Sequence, residues 1–396
     1  MRVVLVDPSQ QVPYYGRALA GALAAGGADV TLATSPLIYY DPGPPPAGVA
    51  LAEPFGRLLA HGIGATGADW WVRHGAARRL LRGLGYPAEL AALVRHMRRT
   101  APAVVHVQWS LVPHLDAWAV GALRGAGIGT VVTAHNALPH ERRPWHAASY
   151  RRLYTAADRV IVHSNATRDR LLALGGVPPD RVRVIPIPAD AERDAVDRRG
   201  ARRALGLQDD LPVALFFGHI RPYKGLDDLL EAWPLVAQRL PGARLVVAGP
   251  VAGGTRHPRA RSGSVDGSGP HGAVDLRPGF VAPPGVTSFF AAADVVVLPY
   301  RATDDSAVLA TARGHGRAVV ATAVGGLPEA LAAGGGRTVP PGDRTALADA
   351  LIAILGDPGA RDRLEAEARA AAAAWTWRHA AAATREIYDE LQHQRS

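Results

Sequence analysis

The strongest constraint on this chain is an alternation that runs through it twice. Short runs rich in Val, Ile and Leu recur, most of them followed by a stretch with helical spacing. "RVVLVD" (2–7) leads to "GRALAGALAAGG" (16–27) and then to "ADVTLAT" (28–34). The pattern resumes with "AVVHVQW" (103–109), "GTVVTAHN" (129–136), "RVIVHSN" (159–165) and "VRVIPIP" (182–188). A strand that is apolar at every position, rather than every second one, is buried on both faces. Such strands pair in parallel and need crossover connections, which helices supply. The reading is therefore α/β, with helices on both faces of a parallel sheet.

The alternation stops at "ADAERDAVDRRGARRALGLQDD" (189–210), which is charged and holds no strand-like run. It starts again with "PVALFFG" (212–218), "LDDLLEAWPLVAQRL" (226–240), "ARLVVAG" (243–249), "ADVVVLPY" (293–300) and "RAVVATAVGG" (317–326). Two Rossmann-like halves follow, with expected bounds of 1–190 and 191–374 and a closing helix at 375–396. The total of 396 residues, 48% of them hydrophobic, is enough for two cores. The Gly/Ser/Pro-rich stretch 251–275 reads as a mobile surface loop.

Composition narrows the function classes. With no cysteine, disulfides and thiolate metal sites are excluded. The N-terminal apolar run meets Asp7 and Pro8 too soon for a signal-peptide core, and no apolar run is long enough to span a bilayer. These features predict a soluble, cytoplasmic protein. The formal charge of +9 comes almost wholly from arginine, as GC-rich coding would give, so no nucleic-acid partner is read from it. The segment 70–100 holds seven arginines, one glutamate and the pair Trp70–Trp71. It fits a helix lying on an anionic inner-membrane face as well as it fits an ordinary amphipathic helix.

Against 43 arginines stands one lysine, Lys224, in "FFGHIRPYKG" (216–225). A strand precedes it and a helix follows, so it lies on a loop at the carboxyl edge of a parallel sheet, where doubly wound folds bind ligands. An ammonium suits point contact with phosphate oxygens, and a guanidinium suits a planar fork. Arg221 and Lys224 therefore read as a diphosphate clamp, with Gly218 at the strand end beside them. A second loop, "LPYRATDDSAVLA" (298–310), leads into a helix starting near Ser306. The free N–H groups of Ser306, Ala307 and Val308 suit an anion, although Ser306 also fits a plain N-cap. Asp304 and Asp305 would repel phosphate and so would face sugar hydroxyls. The glycines of "AVGGLPE" (323–329) allow close backbone approach to a ligand.

Several blocks in the right order resemble the retaining glycosyltransferases of family 4, with the GT-B fold. They are "VVHVQWSLVPHLDAW" (104–118), "TVVTAHNALPHE" (130–141), "DRVIVHSNATRDRLLALGGVPPDRVRVIPIP" (158–188), "FFGHIRPYKGLDDLLEAW" (216–233), "AADVVVLPY" (292–300) and "GRAVVATAVGGLPE" (316–329). The resemblance implies two Rossmann-like domains facing across a cleft, with a C-terminal helix crossing back to the first. It implies sugar transfer from a nucleotide diphosphate to a hydroxyl of a lipid-linked saccharide or a small aglycone, with retained anomeric configuration. The nucleotide sugar would be a co-substrate; no further cofactor and no metal are expected. Arg221, Lys224 and His135 would serve catalysis, with Gly218 and Ser306–Val308 at the diphosphate. Phe280 and Val281 would meet the nucleobase, and Asp304, Asp305 and Glu329 the sugar. Tyr14, Tyr15 and Gly16, in the loop "DPSQQVPYYGRA" (7–18), would form the acceptor side. His106 and His140 stand as structural or acceptor-side. Where many members carry two glutamates, this chain has Thr303 and Thr311. That departure leaves two rivals: a weakly active or inactive partner subunit, and a GT-B-fold sugar-nucleotide epimerase.

Overall fold

The computed structural model describes residues 1–10, 12–37, 40–56, 75–189, 197–251 and 273–395. Trp70 and Trp71, residues 190–196 at the expected boundary, and 252–272 of the expected surface loop lie outside the described residues. The chain forms two compact units, one of Met1–Pro186 with Trp377–Ser396 and one of Ile187–Thr376.

The first unit is built on strands β1 (Arg2–Asp7), β2 (Asp29–Thr34), β3 (Val49–Ala52), β4 (Val104–Val107), β5 (Gly129–Thr133), β6 (Arg159–Val162) and β7 (Val182–Val184). Their order is β3-β2-β1-β4-β5-β6-β7, parallel throughout. Helices α1 (Pro13–Ala25), α2 (Gly75–Thr100), α3 (Pro113–Arg124), α4 (His146–Ala156) and α5 (Asn165–Leu172) provide the crossovers. Pro lies at the start of α1 and α3, where its missing N–H has no intrahelical partner to lose.

The second unit holds β8 (Val213–Phe217), β9 (Arg244–Gly249), β10 (Ala273–Pro278), β11 (Val295–Leu298), β12 (Ala318–Thr322) and β13 (Gly336–Val339). They run in the order β10-β9-β8-β11-β12-β13, again all parallel. The helices are α6 (Arg198–Ala204), α7 (Leu226–Arg239), α8 (Pro283–Ala292), α9 (Ala307–Gly314), α10 (Leu327–Leu331), α11 (Arg344–Leu355) and α12 (Pro358–Ala374). Alternate residues of each strand enter different cores. Phe216, Val247, Val297 and Val320 pack with α7 and α11, while Leu215, Val246, Val296 and Val319 pack with α8, α9 and α10. Period-two alternation with both sets apolar is why these strands read as unbroken hydrophobic runs.

The final helix, α13 (Trp377–His393), belongs to the first unit. Its Tyr388 is wholly buried, with its hydroxyl 2.6 Å from His106 Nδ1; His106 Nε2 lies 2.7 Å from Thr133 Oγ1. Burial lowers the His106 pKa to about 3, so this ring is neutral and structural. Asp294 has a matching role in the second unit. Its carboxylate accepts from the Val213 N–H at 2.7 Å and pairs with Arg202 at 2.7 Å, Arg361 at 3.2 Å and Arg198 at 3.3 Å.

One placement is corrected. Gly16 is not in a loop: it is the fourth residue of α1, and a methyl there would meet only ordinary contacts at 3.9 Å. Close ligand approach therefore does not demand glycine at this position. Among the described residues no helix is long and apolar enough to cross a membrane.

Candidate functional site

In the six-stranded sheet the strand order reverses between β8 and β11. The loops leaving those two strands flank the point where doubly wound sheets open a crevice. The first loop carries Arg221 and Lys224, and the second carries Asp304, Asp305 and Ser306.

Backbone geometry locks the two loops together. The Arg301 N–H donates to the Tyr223 carbonyl at 2.7 Å. Gly225 turns the first loop into α7 with φ +66°, and a methyl there would overlap the Pro299 carbonyl oxygen. Only glycine combines that left-handed backbone with that approach. The Arg301 guanidinium is committed elsewhere, gripping Asp228 through two contacts of 2.7 and 2.8 Å.

Lys224 closes a 3-10 turn, Pro222–Lys224, and its side chain folds inward rather than into solvent. It is 8% exposed, and Nζ lies 5.3 Å from the centre of the Tyr300 ring. No carboxylate among the described residues pairs with this ammonium. Burial, with Arg221 adding to it and Tyr223 opposing, lowers the Lys224 pKa. Burial likewise pushes the Tyr300 phenol up, so the ring faces the cation in its neutral form.

The start of α9 lies close by. Ser306 is its N-cap, with Oγ accepting the Leu309 N–H at 3.3 Å. That leaves the half-exposed Ala307 and Val308 N–H groups without acceptors among the described residues. Gly218, at φ +99°, sits between cation and helix. A methyl grown from it would stand 2.8 Å from Lys224 Nζ and 3.7 Å from Val308 Cγ2. An unpaired buried ammonium, an open helix N-terminus and a bare backbone thus converge on one small volume. Each favours an anion, and together they suit the adjacent charges of a diphosphate.

The remaining residues of this unit spread around that centre. Arg221 is half-buried at the head of the 3-10 turn. Thr303 and Thr311 are both turned to the backbone: Thr303 donates to the Asp305 carbonyl at 2.8 Å and Thr311 to the Ala307 carbonyl at 2.9 Å. Neither hydroxyl takes the place of a glutamate. Asp304 is buried and its carbonyl accepts the Gly326 N–H at 2.7 Å, tying the loop after β12 to the loop after β11. Asp305 is half-buried, and Glu329 is exposed on α10. Phe280 is 53% exposed beyond the end of the edge strand β10, with Val281 next to it. An exposed aromatic ring at a sheet edge offers a flat stacking surface.

In the first unit, His135 follows β5. Trp109 stacks on it at 4.1 Å and 10°, and Tyr15 meets it edge-on at 4.8 Å. Tyr15 is 5% exposed and also touches Trp377 at 5.0 Å, so it is packing; Tyr14 is only half-buried. His135 Nδ1 lies 2.9 Å from His163 Nε2. Burial, with the His163 and His106 rings beside it, holds His135 well below the usual imidazole range; the Gln108 carbonyl acts the other way. His135 is therefore neutral. Sequence reasoning picked out His135 but missed His163 and Trp109, which reach it from the ends of β6 and β4, and Trp377 of α13, which packs on Tyr15.

Two family models match this chain. One described as "Glycosyltransferase Family 4" matches residues 13–193, and one described as "Glycosyl transferases group 1" matches residues 211–357. A D-inositol 3-phosphate glycosyltransferase of Kribbella flavida is 36% identical over 219 residues, covering 53% of this chain and 51% of that protein. The chain thus spans about half the length of the curated relatives it matches. Among solved structures, a sucrose-phosphate synthase of Thermosynechococcus elongatus aligns over all of both chains, with TM-score 0.73 and 20% identity. The Anabaena protein HepE, in complex with UDP and glucose, aligns over 98% of this chain and all of that one, with TM-score 0.72 and 18% identity. These likenesses are of fold, and the fold is GT-B.

Proposed function

This chain belongs to glycosyltransferase family 4, and on that premise we propose that it transfers a sugar from a nucleoside-diphosphate donor to an acceptor hydroxyl with retention of anomeric configuration. The observation that carries the reading is the Lys224 ammonium, buried without a carboxylate beside the open start of α9. A buried charge left unpaired is unfavourable by several kcal/mol in order of magnitude. It persists where a ligand of opposite charge completes it.

Lys224, Arg221 and the N–H groups of Ala307 and Val308 would neutralise the diphosphate as the glycosidic bond breaks. Groups held by the fold before the donor binds would need no reorganisation as charge develops. The acceptor hydroxyl would attack from the face the diphosphate leaves, passing its proton to a phosphate oxygen. Phe280 would stack on the nucleobase, and His135, with a neutral ring, would hydrogen-bond a sugar hydroxyl. The relative's D-inositol 3-phosphate is the first acceptor to assay, followed by small aglycones and lipid-linked saccharides.

The test is a panel of UDP-, GDP-, ADP- and dTDP-sugars read by thermal unfolding. A ligand at about 100 times its Kd stabilises the fold by about 2.7 kcal/mol, so one base should raise Tm by several degrees. Turnover with that donor should give a product of the donor's own anomeric configuration by proton NMR. If no nucleotide shifts Tm, the reading fails. Stabilisation without transfer to any acceptor would favour the non-catalytic subunit, for which the two engaged threonines speak.

A further inference from the structure

We infer that Tyr300 is a positioning residue of the diphosphate site: the face of its ring holds the Lys224 ammonium in place and charged, without neutralising it. The inference deepens the proposed function and rests on it for the ligand, but not for the contact.

The two loops meet residue by residue. The Tyr223 carbonyl accepts the Arg301 N–H at 2.7 Å. Gly225, at φ +66°, lies so close to Pro299 that a methyl would overlap its carbonyl oxygen. Lys224 and Tyr300 are the residues between, and Nζ stands over the Tyr300 ring, 5.3 Å from its centre. Backbone contacts on either side therefore bring cation and ring together. Tyr300 is 2% exposed, its carbonyl accepts the Thr322 hydroxyl at 2.5 Å, and the Tyr223 ring meets its own edge-on at 6.4 Å and 75°. A ring fixed in this way sets where the ammonium sits.

The charges around Lys224 explain why a ring stands there. Arg221 and Tyr223, on its own loop, are the groups that act on it besides burial. His219, on the same loop, is held below the usual imidazole range by burial and then by Arg221 and Lys224. No carboxylate among the described residues pairs with the ammonium. A carboxylate would neutralise the cation and compete with phosphate for it. The negative face of an aromatic ring attracts a cation yet carries no net charge. Lys224 thus keeps its full charge for an anion. The ring and not the hydroxyl does this: the phenol oxygen is buried without a well-formed hydrogen bond, and the Ser306 side chain that acts on it already accepts the Leu309 N–H.

Lys224 is the only lysine of the chain, so full-length protein labelled with carbon-13 lysine gives a single lysine side-chain signal. Its pH titration reads the Lys224 pKa without assignment. The ring is varied at nearly constant shape by Tyr300→Phe and by mono-, di- and trifluorophenylalanine placed at position 300 by nonsense suppression. Fluorine withdraws charge from the ring face. Without nucleotide, Tyr300→Phe should titrate as wild type, and the fluorinated series at progressively lower pH, by about one pH unit at three fluorines. A pKa constant along the series overturns the inference whether or not the chain binds nucleotides. So does a fall of that size in Tyr300→Phe itself, which would assign the contact to the hydroxyl. With the nucleoside diphosphate that stabilises the protein, isothermal titration should show the pH at which affinity weakens moving down with the Lys224 pKa. Affinity whose pH dependence stays put while the pKa falls refutes the part of the ring in diphosphate binding. A graded series in a protein that binds no nucleotide overturns the diphosphate reading alone.

Discussion

Replacing Lys224 with methionine should move ligand affinity and fold stability in opposite directions. Methionine keeps the length and apolar stem of the side chain and removes only the ammonium. Lys224 is 8% exposed, with a Tyr300 ring 5.3 Å from Nζ and no described carboxylate paired with it. The ring contact is worth about 1–2 kcal/mol, whereas desolvating the cation is unfavourable by several. Methionine should therefore leave the unliganded Tm unchanged or higher. With a nucleoside diphosphate bound, the same change removes a charge-assisted contact worth about 1.5–3 kcal/mol. Affinity should fall about 10- to 150-fold, and kcat with the cognate sugar nucleotide by about 100-fold or more. Isothermal titration with nucleoside diphosphate and thermal unfolding without it read the two effects separately. A lower Tm with nucleotide affinity retained would mean that Lys224 is part of the scaffold, and the case for a diphosphate clamp would collapse.

Three further outcomes follow from the same geometry. The Lys224 pKa is lower in the folded chain than its free value of 10.5; in the window between the two, the unfolded state binds more protons, so stability rises with pH there. Diphosphate affinity should fall over that same window as the ammonium of the unliganded protein is lost, and both slopes should be absent in Lys224→Met by pH-dependent calorimetry and unfolding. Gly225→Ala should expel the loop after β8 from its place against Pro299, so that the variant either fails to fold or loses more than about 2 kcal/mol by urea unfolding. Asp294→Ala leaves Arg202, 3% exposed, without its carboxylate, and should be destabilised by about 3–5 kcal/mol.

The interior strands were legible because their burial is two-sided. β1, β8, β9, β11 and β12 carry unbroken apolar runs, and each is paired on both edges. Three of the four edge strands were not, β7 being the exception. β10 "AVDLRP" and β13 "GRTV" are interrupted by polar residues, and β3 "VALA" is a four-residue run whose middle residues are exposed, so none of the three shows a long buried apolar run. Lys224 could be singled out because its signal is local: a rare residue on a loop whose flanking strand and helix are both evident. His163 could not. Its contacts are with Ile185 and His135, which the β-sheet register brings to it from separate loops, and nothing within a few residues of His163 marks it. The same distance hid the fate of Thr303 and Thr311, whose hydroxyls are engaged by carbonyls that only the turn geometry supplies.

The first unit is completed by a segment translated after the whole of the second. Residues 187–376 can leave the ribosome and collapse around their own sheet while His106 still lacks the Tyr388 hydroxyl. A released chain truncated after Thr376 should therefore protect residues 187–376 from protease better than residues 1–186, against the usual N-to-C order of maturation.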